Sequence, residues 1–144
     1  MFEKEPMNNV LFDTNLLLYS IDEDSKYFNS VQELLSDESL KLFTTSKNIS
    51  EFLSVVTRIP NSTISVKEAL NITEEFRSTF TILYPTQKSY LIFVELLKKY
   101  SPRGLKIHDY EIISIALSNK IKSIATINQK DFSGIEEIEL FSMQ

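Results

Sequence analysis

The sequence predicts an α/β fold in which a parallel sheet is covered by helices on both faces. Two observations carry this. Short apolar, strand-like runs alternate with longer helical patterns from one end of the chain to the other, and no internal repeat or low-complexity segment breaks that order. Strands separated by helices are joined by crossovers, which place the strands parallel and the helices over the sheet. With only 2 Gly and 4 Pro in 144 residues, long flexible linkers are not expected. The chain therefore reads as one domain over residues 1–144.

The elements follow in order. Val10-Leu11-Phe12 is an apolar run ended by Asp13-Thr14-Asn15 and reads as a buried strand. Ser25 is placed to cap a helix over 26–35, with Phe28, Val31, Leu34 and Leu35 on one side. Residues 40–44 read as a second strand, followed by a helix from Ser46 to Arg58 that Pro60 stops. Ser65 and Glu68 form a capping-box pattern for a helix reaching 76. Residues 80–84 form a third strand closed by Pro85, and 86–100 a long amphipathic helix. Ser101-Pro102-Arg103-Gly104 is the clearest loop. A helix over 108–120, a strand over 123–127 and an edge strand over 137–141 complete the pattern.

Composition excludes several classes. There is no cysteine, hence no disulfide, thiolate zinc site or cysteine nucleophile. No apolar stretch approaches the roughly 20 residues that span a bilayer, and residues 1–9 lack a signal-peptide core. A soluble, cytoplasmic protein without a membrane partner is expected. The net charge of −5 argues against a protein that coats nucleic acid electrostatically. Charge is unevenly spread, with acids concentrated over 22–38 and Lys88, Lys98, Lys99, Arg103 and Lys106 against Glu95 over 88–108. The basic stretch reads either as solvated surface or as a rim that contacts phosphates.

In a parallel α/β fold the ligand site lies outside the carboxyl ends of the strands. Three acids suit that edge. Asp13 directly follows the first strand, where it either does chemistry or caps the next turn or helix. Asp109 lies one turn before Ile112, Ile113 and Ala116 on the same apolar face, a costly place for an acid unless it is paired or binds a cation. Its place in a first helical turn softens that cost. Glu51 sits among Ile49, Phe52, Leu53, Val55 and Val56, in a helix expected to be enclosed nearly all round. The wheel permits an inward-facing Glu51 without requiring it. Clustered carboxylates of this kind hold Mg²⁺ or Mn²⁺, and the usual work of such a cluster is phosphoryl chemistry.

On these residues the chain resembles the PIN-domain family, and within it the small VapC-like toxin ribonucleases. The matching pieces are Leu11-Phe12-Asp13-Thr14-Asn15, Ser46 and Glu51 in Ser-Lys-Asn-Ile-Ser-Glu-Phe, His108-Asp109, and residues 125–132. The resemblance implies a three-layer α/β/α sandwich and a Mg²⁺- or Mn²⁺-dependent endoribonuclease acting on RNA. It also implies a homodimer and inhibition by a small antitoxin protein. By position Asp13, Glu51 and Asp109 match the family's acidic triad, and Thr14, Asn15, Ser46 and Thr126 its supporting polar positions.

Two departures stand out. Asn128 occupies a position that is often a fourth acid, and Asp131, three residues on, either substitutes for it or caps a turn. Tyr110 stands where a small residue usually follows the helix-start acid, and it is expected to narrow the mouth of the site. The basic run Lys98, Lys99, Arg103 and Lys106 leads into His108-Asp109 and is the candidate RNA path. A dehalogenase-like phosphatase is set aside because Asn15 replaces the acid it needs. A two-histidine ribonuclease fails because His108 is the only histidine. The remaining alternative is a PIN-like interaction module that binds a protein or RNA without cutting.

Overall fold

The computed structural model describes residues 8–58 and 64–141. Among them are five parallel strands: β1 (Asn8–Phe12), β2 (Leu40–Thr45), β3 (Thr81–Leu83), β4 (Ser123–Ala125) and β5 (Glu139–Leu140). The six α-helices are α1 (Thr14–Tyr19), α2 (Phe28–Leu35), α3 (Ser46–Arg58), α4 (Val66–Thr79), α5 (Gln87–Tyr100) and α6 (Lys106–Ser118). The sheet order is β3-β2-β1-β4-β5. The chain builds outward from β1 through β2 to β3, then crosses to β1's other side for β4. The order therefore reverses between β1 and β4, the place where a parallel sheet opens a crevice at its carboxyl edge.

Side-chain alternation along the strands divides the core into two. Val10 and Phe12 of β1, with Leu40 and Leu42 of β2, pack with Leu16, Leu17, Val31, Phe52, Val56, Ala69 and Phe76 from α1–α4. Leu11, Phe43 and Ile124 point the other way, to Leu96 of α5 and to Ile112, Ile113, Ile115 and Ala116 of α6. This period-2 split makes the three-layer α/β/α sandwich.

The boundaries differ from the sequence expectations in ways that bear on the site. Helix α1 was not expected. Asp13 is its N-cap, its side chain accepting from the Thr14 N–H at 2.9 Å. Helix α2 begins at Phe28 rather than 26, because Ser25 accepts from the Tyr27 N–H and closes a turn instead of capping. Helix α6 begins two residues early, at Lys106, and Leu105 before it makes no side-chain cap. Strands β3, β4 and β5 are shorter than read, and Pro60 lies outside the described residues.

The enclosed helix is α6, not α3 as the sequence led us to expect. Six of the seven positions from Tyr110 to Ala116 are buried in α6, wedged between the sheet and α5. In α3 only Asn48, Phe52 and Val56 are buried, and Ser50, Glu51 and Ser54 are exposed. The loop between α5 and α6 turns through Ser101 and Gly104, both at positive φ (48° and 64°), which glycine adopts without a Cβ penalty.

Helix α5 starts with a reciprocal box in which Thr86 accepts from Ser89 N–H and Ser89 Oγ accepts from Thr86 N–H. Thr86→Ala should cost about 1 kcal/mol, since it frees one end of that box. A urea midpoint lower than wild type with an unchanged slope is the expected result; an unchanged midpoint would show that the cap contributes nothing.

Candidate active site

The register of the sheet sets Asp13 beside Thr126. Phe12 pairs with Ala125, and Asp13 N–H donates to Ala125 O at 3.0 Å, so the next residue of each strand emerges at the same edge. There Thr126 Oγ1 donates to Asp13 Oδ2 at 2.9 Å. Thr126 in turn accepts from Asn15 Nδ2 at 3.2 Å and from the Asn128 N–H at 3.1 Å. On the other side, Asn48 Nδ2 donates to Thr14 Oγ1 at 3.0 Å and lies 3.5 Å from Asp13 Oδ1. Both oxygens of a nearly buried carboxylate are thus engaged from three elements. Among the expected supporting residues, Thr14, Asn15 and Thr126 join this network. Ser46 is not among the groups that hydrogen-bond Asp13; the buried polar residue that reaches it from α3 is Asn48, two positions later.

In front of this network a cleft of about 560 Å³ opens between α3 and α6. Its walls include Lys47, Glu51 and Ser54 from α3, Leu105 before α6, Lys106, His108 and Asp109 from α6, and Asp131. Asp13 does not line the cleft, yet it stands close enough for its charge to act on Asp109. Burial pushes Asp109 up to about 7, helped by the negative charges of Asp13, Asp131 and Glu51 and opposed by Lys106. Asp13 is also raised, first by burial; hydrogen bonds from Thr126 and Thr14 counter this, and Glu51 and Asp131 add to it. Four carboxylates therefore feel one another across a single site.

Asp131 takes part in this group and Asn128 does not. Residues Gln129–Asp131 form a 3-10 turn with Asn128 at its N-cap position, which carries Asp131 round to the cleft wall. Asn128 contributes its backbone N–H to Thr126 and is itself exposed. Tyr110 does not narrow the mouth of the site. It is buried in the α5–α6 side of the core, its ring 5.7 Å from that of Tyr100, because neighbouring residues of a helix point about 100° apart and Tyr110 takes the α5 side while Asp109 takes the cleft.

The four basic residues expected along the RNA path are not equivalent. Lys99 is engaged, its ammonium 3.0 Å from Glu137 and 3.2 Å from Glu136, and those hydrogen bonds hold it well above the usual lysine range. Tyr100 O–H donates to Glu137 in the same cluster and accepts from the Glu136 N–H, so the end of α5 braces the loop after Asp131. Lys98 pairs with Glu95 at 3.8 Å on the helix surface. Arg103 is exposed in the loop, and Lys106 alone of the four lines the cleft. Lys47, which was not singled out, also lines the cleft and pairs with Glu111 at 2.9 Å, joining α3 to α6.

A parallel α/β domain with an acid-walled cleft at its switch point is the class that fold and geometry define. The family model of the PIN domain matches residues 10–137, and the chain belongs to the PIN-domain family. No curated protein matches it in sequence. Among solved structures it is similar in fold to VapBC2 from Rickettsia felis bound to a promoter DNA fragment, with 20% identity and a TM-score of 0.69 over 92% of this chain and 97% of that one. VapBC-1 from nontypeable Haemophilus influenzae gives 20% identity and a TM-score of 0.68 over 93% and 97%. The sarcin-ricin loop cleaving toxin VapC20 from Mycobacterium tuberculosis gives 11% and 0.66 over 90% and 98%.

Proposed function

We propose that this protein is a divalent-metal-dependent endoribonuclease, the toxin of a toxin–antitoxin pair, with Asp13, Glu51, Asp109 and Asp131 as its acidic site. The single observation that carries the reading is that Glu51, Asp109 and Asp131 line one cleft, with the buried Asp13 close enough for its charge to act on Asp109. Asp13 is buried and Asp109 partly so, and placing them beside two further carboxylates is costly without a cation. The donors are all carboxylate oxygens, which suits Mg²⁺ or Mn²⁺ rather than a thiolate-seeking metal. Among the described residues no three such side chains are gathered tightly enough to hold an ion as they stand. Closing the site therefore requires an inward movement, and Glu51, exposed on the cleft wall, has the freedom to make it.

Asp13, Glu51, Asp109 and Asp131 would hold the ion, which would supply Lewis-acid polarisation of a phosphate and a more acidic water. The chain's own residues do the rest. Thr126 orients Asp13, and Lys106 offers a cation for a phosphate beside Asp109. The VapBC complexes that share the fold support an antitoxin partner, and a homodimer is what the family resemblance implies. No helix among the described residues is long and apolar enough to cross a membrane.

Cleavage of a single-stranded RNA pool by the purified protein with Mn²⁺, absent in Asp13→Asn, tests the reading. Equal, background-level cutting by both would instead favour an interaction module. The RNA path is tested by salt. Replacing Lys106 and Arg103 together should flatten the salt dependence of RNA binding by about one to two in log–log slope. Lys99→Ala should leave that slope unchanged, because its ammonium is committed to two glutamates. A flattened slope in Lys99→Ala alone would return the path to the end of α5.

A further inference from the structure

Asn48 is fully buried, and nothing in the family pattern that places Asp13, Glu51 and Asp109 assigns it a role. An amide in a protein interior is costly unless every donor and acceptor is met. Here they are met in a directed way. Oδ1 accepts from the Thr45 N–H at 3.2 Å and from Thr45 Oγ1 at 2.7 Å, while Asn48 N–H donates to Thr45 Oγ1 at 3.2 Å. This exchange ties the end of β2 to the first turn of α3. It also settles the orientation of the amide, because only the oxygen can face the Thr45 N–H. The other half, Nδ2, is thereby aimed at Thr14 Oγ1 and Asp13 Oδ1.

We propose that Asn48 is a positioning residue whose amide locks the Asp13 carboxylate to the start of α3, fixing where Asp13 stands relative to Glu51. A helix cap needs only the Oδ1 half. The Nδ2 half reaches across 34 and 35 residues to the end of β1 and does nothing for the cap. Glu51 follows Asn48 by three residues, about one turn along α3, so tying Asn48 to Asp13 also sets the helical turn that carries Glu51 against Asp13. The 3.5 Å contact to Asp13 is long for a hydrogen bond, as contacts at such sites often are until the site is loaded. Thr126 grips the opposite oxygen at 2.9 Å, so the two polar residues hold Asp13 from the two neighbouring strands' sides.

This inference rests on the reading of Asp13 as a metal ligand, and the test separates the two. Mn²⁺ alone is the probe, its binding to the full chain followed by electron paramagnetic resonance. Asn48→Ala should weaken Mn²⁺ binding by about tenfold or more, the usual effect of removing a group that orients a ligand. RNA cleavage should lose kcat with KM unchanged, since substrate contacts remain. Thr45→Val is the control. It removes the hydroxyl from the cap but keeps Nδ2 on Asp13, so it should lose stability while keeping Mn²⁺ affinity. A wild-type measurement covers the case in which Asn48→Ala does not fold. On titration with Mg²⁺, the Asn48 side-chain NH₂ resonances should shift together with the backbone amide of Asp109. A shift at Asp109 with Asn48 unmoved, or equal losses of affinity in the two variants, overturns the inference and leaves the metal site standing. No metal response at any of the acids overturns both.

Discussion

Asp109→Asn is expected to lower metal-dependent RNA cleavage by at least about a hundredfold, because the amide keeps the side chain's shape but removes a charge from the metal site. The same change should stabilise the metal-free protein. Asp109's folded pKa is about 7 against an ordinary 3.8, raised first by burial and then by Asp13, Asp131 and Glu51. For a group raised on folding, the favourable contribution is complete below the unfolded value and is lost as pH climbs through the folded one. Metal-free wild type should therefore lose stability relative to Asp109→Asn between about pH 4 and pH 7, and stay lower above that. Discounted for the solvent screening of a half-buried group, the difference should be about 1–2 kcal/mol. Denaturant midpoints at pH 5 and pH 8 in chelator check it. Added Mn²⁺ should reverse the order, stabilising wild type by about 2.7 kcal/mol at a hundredfold excess over Kd. A variant no more stable than wild type at pH 8 would mean that the carboxylates do not repel as the geometry implies.

Phe52→Ala should be the most damaging core truncation next to the site, costing about 3–5 kcal/mol. Phe52 is fully buried and meets Phe76 edge to face, centroids 5.0 Å apart. Phe76 contacts Phe80 at 6.0 Å, and Phe80 contacts Phe12 at 5.1 Å. The rings run from the residue after Glu51 to the residue before Asp13. Removing one leaves a cavity that the sheet and helices cannot close, and each lost ring pair adds its own contribution. A loss of that size approaches the whole stability of an ordinary domain, so much of the variant should be unfolded at 37 °C. Tyr90→Ala, which truncates an exposed aromatic of α5, should shift the midpoint by no more than about 0.5 kcal/mol. Comparable midpoints for the two variants would contradict the packing described.

Apolar periodicity is a local property of the chain, and what it encodes was legible. The run Val10-Leu11-Phe12, the stripe Ile112, Ile113 and Ala116, and the alternation of strands with helices pointed to a parallel sheet covered on both faces. The same logic put Asp13 at a strand end and Asp109 on a buried face, where an acid calls for an explanation. Short elements escaped it. Helix α1 has six residues, too few for a period to show, so the helix itself was not read, although a cap was one of the two readings of Asp13.

What the sequence determined by itself was the order of the elements, the two-faced core and three of the acids proposed for the site at its edge. Tertiary structure decided which residues complete the site. Thr126 reaches Asp13 across 113 residues and Asn48 reaches Thr14 across 34, distances at which no local pattern carries information. Asp131 joined the acids because a 3-10 turn swung it to the cleft, whereas Tyr110 left the mouth because α5 packs on its side of α6 and takes the ring into the core. Lys99 looked like part of a basic path until the fold set Glu136 and Glu137 against it. A charge read along the chain is only a count. Its availability to a ligand depends on which opposite charges folding brings within hydrogen-bond reach, and that is fixed by contacts between residues far apart in sequence.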